Sequence, residues 1–268
     1  EDGNPTLYND GTDSYCSVSS KPNEAGLPLE ISYADENGSP TELSMGAARI
    51  TCTYDEAGNM TSQCFYNKGN QPAAVDGFYF EKRMEYDEFN RQTREYYLNA
   101  EGKLTTSDGV VADYRMEYNL QGALTKMSFL DEYGHLVNGN DFFAGYVIEY
   151  DERGNQKKMS YFNSDGKACM TRSGYSSIVY RYDDKTNFLI GSEYCDLNGN
   201  VLNSYHYAYD VKGNIVKEYG VEDGRLQSGM TVINRSFDSN NRIVSEWSTN
   251  LEGKRTNFVK QTYSQIKY

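Results

Sequence analysis

The sequence has little of what catalytic, metal-binding or membrane-spanning chains are built from. Its 268 residues include two histidines, one tryptophan and five prolines. The five cysteines (Cys16, Cys52, Cys64, Cys169 and Cys195) form no CxxC pair and no Cys/His cluster at zinc spacing, so neither a metal nor another cofactor is expected. No run of about 18 apolar residues occurs, which leaves no candidate for a membrane-spanning helix. Bases are outnumbered 26 to 39, and a net charge of −13 repels phosphate backbones, which argues against nucleic acid as a partner. No signal peptide is visible in the polar opening "EDGNPTLYND", so a processed N-terminus of an exported protein is the expectation.

What the chain does have is aromatic and periodic. It holds 25 tyrosines and 11 phenylalanines, residues that suit pleated, half-buried surfaces. A Y-D phrase recurs as YDEAGN (54), YDEFNR (86), YNLQGA (118), YDERGN (150), YDDKTN (182), YDVKGN (209) and FDSNNR (237). The first five start 32 residues apart, and the last two steps are 27 and 28. A second aromatic column follows the early phrases at a fixed distance: Phe65, Tyr97, Phe129 and Tyr161. Tyr33 extends it backwards, and Tyr194, Tyr219 and Trp247 are expected to continue it with small shifts.

Each column has a physical reading. Asp (Asn at 119) opening a turn and Gly or Asn three places on, at 58, 90, 122 and 154, is type I turn chemistry followed by a left-handed residue, the signature of a bulged hairpin. A second turn is expected around Gly38, Asn70, Gly102, Gly134 and Gly166. Between turns, apolar residues alternate with period two, as in Tyr114-Met116-Tyr118 and Tyr146-Ile148-Tyr150. The expected fold is therefore all-β. Tandem β-hairpin repeats of about 32 residues, shorter after about 200, stack into an elongated sheet or solenoid-like array because one hairpin cannot bury its face alone. Residues 1–30 read as a cap or lead-in, 31–204 as the long repeats and 205–268 as the shorter ones, all in one continuous domain. Extra residues between the second turn and the next strand are expected to form loops on one edge.

The Y-D-x-x-G-N phrase, followed by an aromatic and a D/N-x-x-G turn over about residues 31–268, resembles the YD-repeat (RHS-repeat-like) family. The resemblance implies a bacterial secreted or surface protein made of β-hairpin strips, which in toxin complexes wind into a hollow shell. Against the family pattern, YNLQGA and FDSNNR are eroded and the unit is longer than usual. Choline-binding cell-wall repeats are a more distant comparison, and their Trp-Tyr-Tyr pairs are absent here.

Chemistry is weighed against this frame. The turn acids offer no D-x-D-x-D ladder, and turn geometry already accounts for them without calcium. His135 and His206 lie near no G-x-S-x-G or H-E-x-x-H motif and read as exposed, so no catalytic residue is expected. Tyr54, Tyr86, Tyr118, Tyr150, Tyr182, Tyr209 and Phe237 read as a structural ladder of rings, each stacking on its neighbour one repeat away. Phe78, Tyr79, Tyr96, Phe142, Phe143 and Phe162 fall outside the columns. They are candidate contacts for a glycan or protein partner, with packing of the loops against the sheet as the preferred alternative. Cys52 and Cys64 flank a turn and are weighed as a disulfide against two half-buried thiols.

The functional expectation is a non-enzymatic extracellular or cell-surface module, in adhesion or cell-wall association. A glycan hydrolase using paired carboxylates and a purely structural spacer of a larger surface protein are the alternatives.

Overall fold

The computed structural model describes residues 8–9 and 12–257. Parts of the expected cap (1–7 and 10–11) and of the final repeats (258–268) lie outside the described residues. Contacts divide the chain into two compact units, Glu1–Tyr146 with Phe162–Lys167, and Val147–Tyr161 with Ala168–Tyr268. The described residues form strands and turns with no helix, and each described strand pairing is antiparallel.

In the first unit a short pair, β1 (Tyr8–Asn9) and β2 (Ser14–Tyr15), precedes the meander. Hairpins then follow in chain order: β3 (Ser17–Pro22) with β4 (Pro28–Ala34), β5 (Arg49–Tyr54) with β6 (Met60–Tyr66), β7 (Glu81–Tyr86) with β8 (Gln92–Leu98), and β9 (Asp113–Tyr118) with β10 (Leu124–Leu130). β11 (Gly145–Tyr150) and β12 (Gln156–Phe162) flank the next Y-D turn. In the second unit β13 (Ser177–Tyr182) pairs with β14 (Leu189–Cys195), and β14 with β15 (Val201–Tyr209). β15 pairs with β16 (Ile215–Glu222), which meets both the short β17 (Arg225–Leu226) and β18 (Val232–Phe237). β19 (Ile243–Thr249) and β20 (Arg255–Asn257) complete it.

The pairing alternates in strength. Inside a hairpin the ladder runs the length of the strands, as from Arg49↔Tyr66 to Tyr54↔Met60. Between four pairs of successive hairpins it is confined to three residues, 30–32 against 49–51, 62–64 against 81–83, 94–96 against 113–115, and 158–160 against 177–179, while β14 and β15 share five pairs and β16 and β18 two. Towards the Y-D tips, neighbouring hairpins therefore splay, and side chains must bridge them.

The register sorts residues onto two faces, because side chains alternate along a strand. Ile50, Cys52, Tyr54 and Phe65 share one face, continued by Met84, Tyr97, Tyr114, Met116 and Phe129. The opposite face carries most of the charges, among them Arg49, Arg83, Glu85, Arg94, Arg115 and Glu117. The expected edge loops are ordered five-residue turns rather than irregular excursions. The first N–H donates to the fifth carbonyl at Leu43→Ala47, Val75→Tyr79, Ser107→Val111, Gly139→Phe143 and Thr171→Tyr175. The segment leading into each is tied back to the preceding strand, as where the Ala73 N–H donates to the Phe65 carbonyl. Ala47, Val75, Val111 and Ala144 are consequently almost fully buried, and Ile50, Cys52 and Phe65 join the first of these small cores.

Of the two readings of Cys52 and Cys64, the structure gives separate thiols: the hairpin register sets Cys52 against Gln63 and Thr51 against Cys64, so the two lie on opposite faces and form no disulfide.

Candidate functional site

The Y-D phrase works as a bridge between repeats. Each of its aromatics ends a strand: Tyr54, Tyr86, Tyr118, Tyr150, Tyr182, Tyr209 and Phe237 close β5, β7, β9, β11, β13, β15 and β18. The expected ring-on-ring ladder is not what most of them make. Tyr54 donates its hydroxyl to the Pro28 carbonyl (3.0 Å), Tyr86 to Met60 (3.0 Å), Tyr118 to Gln92 (2.8 Å) and Tyr209 to Leu189 (2.8 Å). For the first three tyrosines, the acceptor lies across the splayed interval where backbone pairing has stopped, so the hydroxyl replaces a missing rung of the ladder. Phe237 has no hydroxyl to give.

The stacked rings belong to the other column and to the loops. In the first unit Phe65, Tyr79, Tyr97, Tyr114, Phe129 and Phe143 follow one another with centroids 4.7–6.3 Å apart, mostly edge to face. In the second unit Tyr161, Tyr175, Tyr194 and Tyr205 continue the pattern at 4.9–5.7 Å. The placement of Tyr219 and Trp247 in this column is corrected. Register sets Gly220 against Tyr205 and Ser248 against Ile233, so Tyr219 and Trp247 point to the opposite face.

The turn acids are spent on the turns. Asp151 Oδ1 accepts the N–H groups of Arg153 and Asn155, and its Oδ2 accepts the Asn155 amide (2.9 Å). Asp55, Asp196 and Asp210 repeat the same three bonds. The asparagine side chain is the main reason that Asp55, Asp151, Asp196 and Asp210 titrate below the usual carboxylate range. The Arg91 guanidinium does this for Asp87, and backbone N–H groups of Thr186 and Arg242 do it for Asp183 and Asp238. A carboxyl with a depressed folded value stabilises the fold above its unfolded value and loses that contribution as pH falls through the folded one. Melting temperature is therefore expected to be nearly level from pH 7 to about 5 and to fall steeply below about pH 4. Thermal melts across that range check it, and Asp151→Asn should shallow the fall because an amide keeps the turn without titrating.

Asparagines clasp neighbouring tips. Asn59 Nδ2 reaches Asn90 Oδ1 (2.9 Å), Asn155 reaches Asn187 (2.7 Å) and Asn214 reaches Asn241 (3.2 Å). Asn90, Asn187 and Asn241 hold positive φ, the place taken by glycine in other repeats. Their side chains, not their backbones, explain the choice. Beside the Asn155–Asn187 clasp, a wide groove of about 690 Å³ runs between the turns at 151–155 and 183–187, lined by Glu152, Arg153, Lys157, Arg181, Asp184 and Glu193 among others. Arg181 and Glu193 pair across it (2.8 Å), so much of its charge is internally matched.

The six candidate aromatics separate into different roles. Phe78 and Phe142 are exposed on the loop edge, 39% and 56% accessible, and Phe142 holds a positive φ. Phe78 lies near the Gly109 turn of the next loop, and Asn140 donates to Asp108 between adjacent loops (3.2 Å). Tyr79 and Phe143 are members of the ring column. Tyr96 lies under the Arg94 guanidinium (4.0 Å) on the charged face. Phe162 covers the backbone at Gly145.

His135 is exposed beside Asp131, its Nδ1 3.7 Å from the carboxylate. His206 differs from expectation: it is half-buried, stacked on Tyr219 with centroids 4.9 Å apart, and 2.9 Å from the Ser204 hydroxyl. Glu95, on the ring face, is met by Lys82 (2.8 Å), Gln92 (3.1 Å) and the Tyr97 hydroxyl. Burial alone would raise its carboxyl, and these partners outweigh burial and hold it low. Among the described residues, no group of three or more His, Cys, Asp or Glu is placed to hold a metal ion.

These features define a tandem β-hairpin repeat protein. No family model matches the chain, and no curated protein matches it. Among solved structures, TcdB2-TccC3-Cdc42 matches 86% of this chain over 10% of its own, at 16% identity and a TM-score of 0.55. The Photorhabdus luminescens Tc holotoxin pore matches 90% of this chain over 14% of its own, at 14% identity and a TM-score of 0.30. A porin-like protein from Bacteroides uniformis matches 75% over 87%, at 12% identity and a TM-score of 0.28. The chain thus spans about a tenth of the TcdB2-TccC3-Cdc42 chain, and that likeness concerns the fold alone.

Proposed function

We propose that this chain is a non-enzymatic module of the YD-repeat kind, working outside the cell or at its surface and holding a glycan through its loop edge. The supporting observation is how the side chains are divided. The turn aspartates are committed to turns and four of the Y-D tyrosines to inter-strand ties, while the rings of Phe78 and Phe142 are exposed on the loop edge near Asp108, Asn140 and Asp141. An exposed flat ring flanked by amide and carboxylate groups suits the face and hydroxyls of a pyranose. Presentation on successive loops lets weak contacts add. The likeness to TcdB2-TccC3-Cdc42 supports the repeat-scaffold part of this reading.

A glycan array with the wild-type chain, repeated with Phe78→Ala/Phe142→Ala, tests the proposal. Binding by the wild type and a loss of about tenfold or more in the variant are expected. No glycan bound by the wild type would leave the purely structural spacer as the reading, and equal binding by the variant would move the site elsewhere.

A further inference from the structure

In the second unit the ring column lacks its aromatic at Gly220. One backbone contact marks the column in five repeats: the aromatic residue's carbonyl accepts an N–H from the start of the following segment. The pairs are Thr41→Tyr33, Ala73→Phe65, Thr105→Tyr97, Val137→Phe129 and Cys169→Tyr161, at 2.9–3.1 Å. The same contact recurs at Gln227→Gly220 (3.1 Å), and register sets Gly220 directly against Tyr205. Gly220 therefore occupies the position that holds Tyr or Phe in those five repeats. The run Tyr161–Tyr175–Tyr194–Tyr205 ends against a residue with no side chain.

A cavity of about 420 Å³ lies at this place. Tyr205, Tyr207 and Ile233 line it, with Met230 and Gly229 from the following turn and the Glu218 carboxylate. That volume falls in the range of small-molecule sites, about 300–1,000 Å³. Two flexible chain ends overhang Gly220: Gln227 Oε1 and Met230 Sδ lie 2.8 and 2.9 Å from where its Cβ would stand. Both are unbranched side chains that can swing aside, and Met230 is 41% exposed.

We propose that the gap at Gly220 is a binding site for a phenol-type ring, taken edge to face against Tyr205 in the manner of the column's own tyrosines. The protein supplies the template, since the neighbouring contacts Tyr194–Tyr205 (5.7 Å, 70°) and Tyr175–Tyr194 (4.9 Å, 82°) show how this surface receives a ring. Glu218, whose Oε1 is held by Arg235 at 2.7 Å, offers its other carboxylate oxygen to the ring hydroxyl, and Met230 supplies a polarizable cover. The site is independent of the loop-edge glycan contacts, and its test does not depend on them.

The test titrates p-cresol, as a free phenol, and acetyl-Gly-Tyr-Gly-amide, as a tyrosine side chain, into the full chain. Methyl NMR observes Met230 and Ile233. Saturable shifts at both methyls at roughly millimolar ligand are expected, with toluene weaker because it offers Glu218 no hydroxyl. Tighter binding of the peptide would assign the source to a protein partner, and tighter binding of p-cresol to a small molecule. Gly220→Tyr fills the gap from within. The backbone at 220 lies outside the positive-φ region, so the variant should fold and bind at least tenfold more weakly. The proposal is overturned if neither methyl responds in the wild type, if Gly220→Tyr binds as the wild type does, or if methyl β-glucoside displaces the phenol.

Discussion

Replacing Gly145 with alanine is expected to be among the most damaging single-methyl changes this chain can receive. A Cβ at 145 would stand 2.1 Å from the Met127 carbonyl oxygen and 2.5 Å from the Phe162 ring, distances that real atoms do not adopt. In the repeats before it, the equivalent strand-opening residues are Arg49, Glu81 and Asp113, and the first of these lays its guanidinium over Tyr66 at 4.0 Å. At 145 the side chain is absent and Phe162 takes the space over the bare backbone, an aromatic covering a strand glycine. Because the obstructing atom is backbone, relief requires β10 and β11 to move apart. The expected loss is at least about 3 kcal/mol, a fall of roughly 10 °C in the melting of the first unit. Thermal denaturation of Gly145→Ala checks this. Phe162→Ala in the same background should recover only part of the loss, since the carbonyl clash remains.

Removing Arg94 is the second large effect. Asp113 is 1% exposed, and its Oδ2 is held by Arg94 (2.9 Å) and Arg115 (3.2 Å), while Oδ1 has no partner among the described residues. Arg94 is the more enclosed of the two arginines and also reaches Glu85 (3.1 Å). Arg94→Ala leaves a buried carboxylate with one largely exposed partner, and a loss of about 3–5 kcal/mol is expected from chemical denaturation. In an Asp113→Val background the same substitution should cost less than about 1 kcal/mol, because no buried charge remains to be stranded. Equal costs in both backgrounds would show that Arg94 acts through its stacking on Tyr96.

How much of this was legible in the sequence follows the range of each interaction. The turns are local. An Asp with a Gly or Asn three places on specifies its own hydrogen bonds, so 54–59 and 150–155 could be read as hairpin tips from six residues. The alternation 114-116-118 is equally local and gave the faces. Contacts between repeats need the register, which one sequence does not display. The Tyr118 hydroxyl reaching Gln92, and Gly145 making room for Phe162, are of this kind. The asparagine clasps stood closer to view. Asn90 and Asn241 each replace a turn glycine one repeat after Asn59 and Asn214, a correlation visible without coordinates. Asn187 instead falls in the column of Asn155 and reaches the glycine place only because its turn is one residue longer, the Asp183 N–H donating to the Phe188 carbonyl. The place of Gly220 was legible in the spacing: it stands 11 residues after Tyr209, as Phe65 does after Tyr54, and the aromatic at 219 pointed instead to the neighbouring position.

The alternation of long ladders within hairpins and three-residue ladders between them also bears on how the chain reaches its fold. Within the first unit the described pairings from β3 to β10 join strands that follow one another in the chain, so the contact order among them is low. A hairpin can complete its own ladder as soon as its second strand is available, and then dock on its predecessor through three backbone pairs and a tyrosine hydroxyl. Assembly can thus proceed vectorially, one hairpin at a time, as the polypeptide emerges from a ribosome or a translocation pore.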